Sequence, residues 1–340
     1  MRIGKCIVPG PWIQERFKAY TRMPMLKRFP EVAKEILQYV RNNVERKLTG
    51  QEKSRVWESL PRMLKVNNVF DLYRDFYTFI GKPELFKQAP NGVLEYADVF
   101  PLIYCKIRME GVQTYSQVKH LLVDEMQDYT PVQYAVLSRL FLCKKTILGD
   151  VRQQVNPYSA STLETIERVF PQADMVKLNR SYRSTFEISA FAQRISPNPD
   201  LLAMERHGPV PQMLACKDNE EEVGAIHKRL NSFKQAGHHS LGIICKTNQQ
   251  AKYIFEKLNA PDATLLTAES THFKEGIIIT TVHLAKGLEF DEVIIPFASA
   301  RNYQNEVDRS LLYIACTRAM HQLTLSYTGE ASQFITERHP

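Results

Sequence analysis

The first third of the chain carries apolar residues at helical spacing. Two stripes run along it, Val32, Ile36, Val40, Val44 and Leu48 in one, and Phe70, Tyr73 and Tyr77 in the other. Apolar residues three or four positions apart fall on one face of an α-helix, which can then pack on a core. Because no alternating strand pattern competes there, the sequence predicts a helical region over residues 12–110.

From residue 118 onward, short apolar runs replace the helical stripes. VKHLLVDE (118–125) and KKTILGD (144–150) are typical of buried strands, and the helix between them opens with Thr130 as N-cap and Pro131 at its first position. Helices are predicted at about 218–236, 248–259 and 306–320, and Gly237 sits where a helix C-terminal glycine belongs. These helices alternate with five further predicted strands, namely PQMLACK, LGIICKT, GIIITTVH, DEVIIPFA and QLTLSY.

Alternating strands and helices predict an α/β protein with parallel sheets. We expect two α/β lobes joined near residue 200, after the prolines of SPNPD, together with a helical N-terminal region. Residues 1–115 would be the helical region, part of the first lobe or inserted in it. Residues 116–200 would form the C-terminal part of the first lobe, and residues 201–340 the second lobe.

Composition restricts the class of protein further. Hydrophobic residues make up 44% of the chain and charged residues 24%, and no apolar run reaches the roughly 18 residues of a membrane helix. Pro9 and Pro11 interrupt any signal-peptide core. The six cysteines lie far apart without a C-x-x-C pair, so neither a zinc site nor a disulfide framework is predicted. We predict a cytoplasmic protein without a membrane partner.

Positive charge is concentrated in the N-terminal part. Residues 1–119 hold 21 lysines and arginines against 12 acidic residues, a net charge of +9, although the whole chain carries only +7. Such a basic region is a candidate surface for polyanions. A solvated helical face explains the charge equally well at this point.

Acidic and polar residues follow the two strands predicted in the first lobe. Asp124 and Glu125 come directly after HLLV, and Gly149, Asp150 and Gln153 follow TIL. Ligands bind at the carboxyl edge of parallel sheets, where one carboxylate could hold Mg²⁺ while its neighbour activates water for nucleotide hydrolysis. Alternatively, the acids only place charge at the N-terminus of the next helix.

Two later segments carry arginines in distinctive settings. In NRSYRS (179–184), Arg180 and Arg183 flank Tyr182, an arrangement that suits phosphates and a stacked base but also surface ion pairs. LLYIACTRA places Arg318 at the end of a buried helix, where an arginine is costly unless it meets an anion or an acid. An arginine supplied to a γ-phosphate would meet that need.

Taken in order, VDEMQD, ILGDVRQQVNPY, LNRSYRST, TTVHLAKGLEF and YIACTRA resemble the successive helicase motifs of UvrD-like superfamily 1 DNA helicases. The resemblance spans about residues 118–328. It implies two RecA-like parallel-sheet lobes, the first incomplete, and an ATP-dependent motor that moves on single-stranded or partial duplex DNA with 3′-to-5′ polarity.

The resemblance also implies roles for individual residues. Asp124 corresponds to the Mg²⁺ carboxylate, Glu125 to the catalytic base and Gln153 to the γ-phosphate sensor. Tyr182 corresponds to the adenine-stacking tyrosine, and Glu289 to a residue that approaches the ribose. The remaining positions are Arg183 and Arg318, which would reach the γ-phosphate, and Tyr158 and His283, which would lie near the single strand. The cofactors implied are ATP and Mg²⁺.

The sequence departs from this family in its phosphate-binding loop. Nothing in it fits G-x-x-x-x-G-K-[ST], because Gly4, Gly10, Gly50 and Gly81 lack the second glycine, lysine and hydroxyl in register. Tyr158 stands where many relatives carry tryptophan, and Arg152 replaces a common acid. We therefore expect a fragment that starts after the loop and is inactive by itself.

The helical stretch before VDEMQD is more similar to the helicase IV and RNA-polymerase-associated branch of the family, which makes RNA polymerase a candidate partner. A second hypothesis is a non-catalytic helicase-like module that binds nucleic acid or RNA polymerase without turning over ATP. A third is a small-molecule α/β enzyme in which Asp124 and Glu125 serve another reaction.

Overall fold

The computed structural model describes residues 1–44, 46–66, 68–87, 91–150, 153, 162–270 and 276–336. The chain divides into two compact units. The first comprises Met1–Gly149 and Ala160–Gln172, and the second comprises Asp150–Ser159 and Ala173–Pro340.

The first unit is mainly helical. It opens with an antiparallel hairpin of two short strands, in which Gly4 takes the left-handed backbone conformation of the turn at φ +57°. Its elements in chain order are β1 (Arg2–Ile3), β2 (Cys6–Ile7), α1 (Gly10–Ala19), α2 (Met25–Asn42), α3 (Gly50–Ser59), α4 (Val69–Phe79), α5 (Tyr96–Glu110), β3 (His120–Val123), α6 (Pro131–Leu140), β4 (Lys144–Ile147) and α7 (Leu163–Val169).

The helical region predicted from the apolar stripes is confirmed, with one shift of phase and one early end. α2 ends at Asn42, so Val44 and Leu48 of the first stripe lie beyond it. Val32, Ile36 and Val40 are fully buried in α2, in one hydrophobic core with residues of β1, α1 and α3. In α4 the buried position before Tyr73 is Val69, whereas Phe70 is 48% exposed. Apolar residues occupy both positions, so the pattern alone selects the wrong face.

β3 and β4 form a two-stranded parallel sheet with Val123 opposite Ile147. The helix between them begins as predicted, because Thr130 and Gln133 form a capping box and Pro131 occupies the first helical position. The carboxyl ends of the two strands therefore lie side by side, at the edge where Asp124 and Gly149 follow.

The second unit contains the larger sheet. Across the described parts of both units, no helix is both long and apolar enough to cross a membrane. The elements of this unit are β5 (Arg180–Ser181), α8 (Phe186–Ile195), β6 (Leu202–Ala203), β7 (Gln212–Cys216), α9 (Asn219–Phe233), β8 (Leu241–Cys245), α10 (Asn248–Leu258), β9 (Ala263–Leu265), β10 (Ile277–Thr281), α11 (Val282–Ala285), β11 (Phe290–Ile295), α12 (Glu306–Cys316), β12 (Ala319–Thr328) and α13 (Gln333–Thr336).

Six parallel strands of this unit form one sheet in the order β7-β12-β11-β8-β10-β9. Both faces are covered, since Ile243 packs into a core with α9 and α10 while its neighbour Ile244 packs into a core with α8 and α12. Burial on both faces explains why β8 and the first part of β10 are continuous apolar runs rather than alternating ones. The predicted α/β class is confirmed.

The predicted helices of the second half correspond to α9, α10 and α12. Gly237 has the left-handed backbone of a helix-ending glycine, φ +73°, but lies four residues beyond the end of α9. The structure groups residues 173–200 with the second unit, whereas the sequence predicts them in the first lobe. Hydrogen bonds explain this grouping: Ser184 Oγ donates to Ala319 O at 2.7 Å and Thr185 N to Met320 O at 3.2 Å.

Candidate functional site

Asp124 and Glu125 lie where β3 ends, at the carboxyl edge of the first unit's sheet. The edge is fixed by two backbone hydrogen bonds of 2.8 Å, from Leu148 N to Val123 O and from Met126 N to Leu148 O. Glu125 has a left-handed backbone, φ 52° and ψ 50°. Such a conformation costs a non-glycine residue roughly 1–2 kcal/mol, and rare backbone conformations of this kind cluster at functional sites.

Gln127 of the VDEMQD motif holds the Glu125 carboxylate, a role that the sequence alone does not indicate. Gln127 Nε2 donates to Glu125 Oε2 at 2.6 Å, and Gln127 is only 1% exposed. Glu125 N donates to Asp124 Oδ1 at 2.8 Å. The two acids therefore differ in environment, because Asp124 is exposed whereas Glu125 is half-buried beside a fixed amide.

Gly149, just beyond the end of β4, allows the backbone to pass very close to these residues. A Cβ atom there would lie 2.4 Å from Gln127 Oε1 and 2.6 Å from the backbone nitrogen of Met126. Contacts below 3.0 Å essentially never occur for real Cβ atoms, so a larger residue would push Gln127 away. The glycine of ILGD is thus required by close packing against the acidic turn.

In the second unit, Arg318 is 1% exposed at the end of α12. Its guanidinium donates to neutral oxygens: Ile314 O at 3.3 Å, Leu288 O at 3.4 Å and Gln153 Oε1 at 2.5 Å. Burial raises the pKa of the Cys316 thiol, two residues earlier, so this end of the helix is dry. A buried guanidinium is suited to an anionic ligand, because its hydrogen bonds to an anion are charge-assisted.

Arg183 and Glu289 form an ion pair of 2.5 Å, with about two fifths of each side chain exposed. Glu289 directly precedes β11, just as Arg318 directly precedes β12. The structure thus brings Arg183, Glu289, Arg318 and Gln153 to the amino edge of the six-stranded sheet. Tyr182, the neighbour of Arg183, is 65% exposed, which leaves its ring accessible for stacking.

A cavity of about 140 Å³ lies in this part of the second unit. Gln153, Arg183 and Thr317 contribute to its lining, together with Ser181 and Ser184. Guanidinium, amide and hydroxyl groups can all donate hydrogen bonds to phosphate oxygens. The lining thus offers donors for an anion, together with the carboxylate of Asp150.

His283 lies at the opposite edge of the same sheet. It is exposed in α11, directly after the carboxyl end of β10. Because all six strands are parallel, the carboxyl end of β10 faces away from the amino ends of β11 and β12. Tyr158, the other residue predicted near the single strand, lies outside the described residues.

Comparisons with known proteins identify the family. A profile of the UvrD/REP helicase N-terminal domain matches residues 21–173, and a profile of the UvrD-like helicase C-terminal domain matches residues 276–326. The chain belongs to the UvrD-like superfamily 1 helicases. In this UvrD-like chain the acidic turn falls in the first match, and His283, Glu289 and Arg318 fall in the second.

Individual relatives agree with this assignment. The UvrD-like chain is 28% identical over 153 residues to the ATP-dependent DNA helicase UvrD2 of Mycobacterium tuberculosis, covering 40% of the chain and 22% of that protein. With DNA helicase II of Escherichia coli it shares 28% over 152 residues, covering 41% and 21%. It thus matches about a fifth of the length of these relatives.

Among solved structures, the C-terminal domain of a possible DNA helicase from Lactobacillus plantarum is 34% identical to the UvrD-like chain. The match covers 46% of the chain and 92% of that domain, with a TM-score of 0.41. Membership of the helicase IV and RNA-polymerase-associated branch stays a prediction.

Proposed function

We propose that this chain is the motor part of an ATP-dependent DNA helicase, which couples ATP hydrolysis to movement along single-stranded DNA. The proposal is supported by the family, by the acidic turn in the first unit and by the anion-binding edge in the second. Single-stranded or partial duplex DNA would be the substrate, and the cytoplasm the place of action.

The strongest support for this proposal is a cluster of four residues at the amino edge of the six-stranded sheet. These residues are Gln153, Arg183, Glu289 and Arg318. They come from four separate sequence motifs. Arg183 and Gln153 line the same cavity, and the buried Arg318 donates a hydrogen bond to Gln153. A polyphosphate would be bound by such a set, because two guanidiniums neutralise charge on its oxygens.

The residues present fit Mg²⁺ and the terminal phosphate of ATP. The exposed carboxylate of Asp124 offers the hard oxygen ligand that Mg²⁺ prefers, and Tyr182 offers an exposed ring for the base. When bound, Mg²⁺ would balance charge on the phosphate oxygens. Asp124 would hold it, and Arg183 and Arg318 would bind the γ-phosphate.

Glu125 would act as the general base. Gln127 Nε2 donates to Glu125 Oε2 at 2.6 Å and orients the carboxylate, which would accept a proton from water. The side chain of Gln153 is uncharged and accepts a hydrogen bond from Arg318. This hydrogen bond links the segment after β4 to the residues that follow α12. We propose that this hydrogen bond changes between nucleotide states and so couples hydrolysis to DNA binding.

The 340 residues contain no phosphate-binding loop, whose backbone amides and lysine hold the β- and γ-phosphates in P-loop enzymes. We therefore predict no DNA-stimulated ATPase activity above background for this chain alone. A phosphate-release assay with and without single-stranded DNA measures it. Turnover that is abolished by Glu125→Gln would contradict this prediction.

The lack of a phosphate-binding loop in these 340 residues also favours a second candidate function. This is a non-catalytic helicase-like module that binds nucleic acid or RNA polymerase. The relatives described above are DNA helicases, and those matches give RNA polymerase no support. Co-sedimentation of the purified chain with RNA polymerase and with DNA distinguishes the two partners. The third hypothesis, a small-molecule enzyme, loses its basis once the family is known.

A further inference from the structure

A second cavity, of about 240 Å³, lies in the first unit between the turn before α2, the end of α5 and the end of α6. Four basic residues contribute to its lining: Arg22, Lys27, Arg108 and Arg139. Apolar residues complete the wall, among them Val112 and the 75% exposed Leu142. Basic side chains from separate elements thus converge on one concave surface.

These four cations differ in their surroundings from the arginines that form ion pairs. Arg16, Arg46 and Arg183 each have a carboxylate oxygen within 4.0 Å. In the described part of the first unit, no carboxylate oxygen lies that close to any of the four cavity cations. Like charges held together without an acid repel each other, and an anionic ligand would remove that cost.

The crowding of positive charge also affects a neighbouring side chain. Burial, and then the charge of Arg108, lower the pKa of Arg28 from its ordinary value. Arg28 is itself held by backbone carbonyls, those of Met23 at 2.9 Å and Thr21 at 3.0 Å.

Two stacked aromatic rings lie on the loops after α5 and α6, and these loops also contribute to the cavity wall. Tyr115 and Phe141 stack with ring centroids 5.1 Å apart and planes inclined by 18°, and Tyr115 is 48% exposed. Tyr115 N donates to Leu140 O at 3.0 Å, which ties the loop after α5 to the loop after α6. The same two loops contribute Val112 and Leu142 to the cavity wall.

The position of this surface separates it from the site described above. The loops that carry Tyr115 and Leu142 precede β3 and β4, so they lie at the amino edge of the first unit's sheet. Asp124 and Glu125 follow the opposite, carboxyl edge. Gly111, at φ 91°, lets the chain turn at the end of α5, where a Cβ would lie 3.1 Å from Pro24 Cγ.

We propose that this basic cavity and the Tyr115 ring bind the sugar-phosphate backbone and one base of a single DNA strand, at a site separate from the nucleotide-binding residues. The inference rests on the proposed DNA-binding function and adds a second contact to it. Guanidiniums with an exposed, supported aromatic ring form the usual combination for binding single strands without sequence preference. An acidic peptide would be bound by the cations but would have no need for the ring.

The test is fluorescence anisotropy with a labelled single-stranded oligonucleotide over a series of salt concentrations. The variant Lys27→Ala, Arg139→Ala should lower the slope of log affinity against log salt by about 1.4, because each phosphate contact on a single strand contributes about 0.7. The matched control is Lys53→Ala, Arg55→Ala, which removes the same charge from exposed positions of α3. It should change the slope by less than half as much.

Tyr115 is tested in the same assay. Tyr115→Ala should weaken binding roughly fivefold or more at every salt concentration without changing the slope, as expected for loss of one stacked base. Tyr115→Phe keeps the ring and should bind as tightly as the unchanged chain. Circular dichroism melts verify that each variant is folded.

Three results would overturn the inference. If the chain binds DNA but the Lys27, Arg139 variant behaves like the α3 control, the cavity does not contact the strand and the proposed function stands. If poly-glutamate competes as well as DNA and Tyr115→Ala has no effect, the cavity binds acidic protein instead. If the unchanged chain binds no DNA even at low salt, the inference fails together with the DNA-binding part of the proposed function.

Discussion

Glu125 holds an unusual backbone conformation for a residue with a large side chain. Its positive φ of 52° is accompanied by a hydrogen bond from a nearly inaccessible glutamine, Gln127. The backbone strain costs roughly 1–2 kcal/mol. Burial of apolar surface does not offset this cost, since Glu125 is only half-buried. A fixed carboxylate at the carboxyl edge of a sheet is what a general base requires.

This role can be tested in a fusion that places the phosphate-loop segment of a UvrD-like relative before Met1. We expect DNA-stimulated ATP turnover, and we expect Glu125→Gln, Arg183→Ala and Arg318→Ala each to lower it on the order of 10²-fold or more. The three losses should not add, because the residues act in one step. Turnover is measured by phosphate release at saturating DNA.

The control for this series is Arg55→Ala, at an exposed position of α3. It should leave turnover unchanged. Unchanged turnover in Arg318→Ala would contradict the assignment of Arg318 to the nucleotide.

Gly149 provides a prediction on stability. A methyl group there would meet Gln127 and the Met126 backbone at 2.4–2.6 Å, so Gly149→Ala should lower the free energy of unfolding by about 1–3 kcal/mol. Gly224 is the matched control, because it lies in α9 with nothing within 4 Å of a Cβ. Gly224→Ala should be neutral or stabilising by roughly 0.5–1 kcal/mol. Urea unfolding measures both, and equal effects would refute the packing account of Gly149.

Single residues differ in how far the sequence predicts them. Asp124 and Glu125 are predictable because they follow an apolar strand directly. Gln127 is not, since the pattern gives no sign that its amide turns back to Glu125. The ion pair of Arg183 and Glu289 joins positions far apart in the chain. Only the order of the strands brings them together, and local spacing carries no information about that order.

At the scale of elements, α9 contains a buried acid. Glu222 is fully buried, and its Oε1 accepts hydrogen bonds from Phe297 N at 2.8 Å and from Ser326 Oγ at 2.7 Å. Burial raises the pKa of Glu222, and the two hydrogen bonds only partly oppose this. The folded protein therefore binds this proton more tightly than the unfolded chain does.

Because the folded state binds the extra proton, Glu222 lowers the free energy of unfolding as the pH rises above about 4.3, the ordinary pKa of glutamate, through the raised value. Glu222→Gln removes this titration. The variant should gain stability relative to the unchanged chain between pH 5 and pH 8 in urea unfolding. Glu220→Gln, at an exposed position of the same helix, is the control. Identical pH dependence of the two variants would contradict the prediction.

Elements were predicted best where they are long or fully buried. The sequence predicts β8 and β10 because burial on both faces gives them runs of apolar residues, whereas β12 alternates apolar and polar residues in its second half. The strand β9 has only three half-buried residues at the sheet edge, and its sequence has no distinct pattern. The sequence does not predict the hairpin of β1 and β2 for the same reason, since each strand has only two residues.

At the scale of the whole molecule, we expect the two edges of the six-stranded sheet to bind different ligands. Residues implied in nucleotide binding occupy the amino edge, whereas His283, implied in strand binding, lies at the carboxyl edge. The net charge of +9 over residues 1–119 adds a source of attraction for DNA. We therefore expect DNA binding that does not depend on ATP turnover.

The most direct measurement of this account is the affinity of the 340-residue chain for labelled single-stranded and duplex oligonucleotides, by fluorescence anisotropy at low and moderate salt. We predict weak binding of the single strand that falls steeply with salt, because phosphate contacts release counterions. Tyr158→Ala and His283→Ala should each weaken it at every salt concentration without changing the salt dependence, as loss of stacking would. No binding of the single strand at low salt, or binding indifferent both to salt and to Tyr158→Ala, would contradict the account.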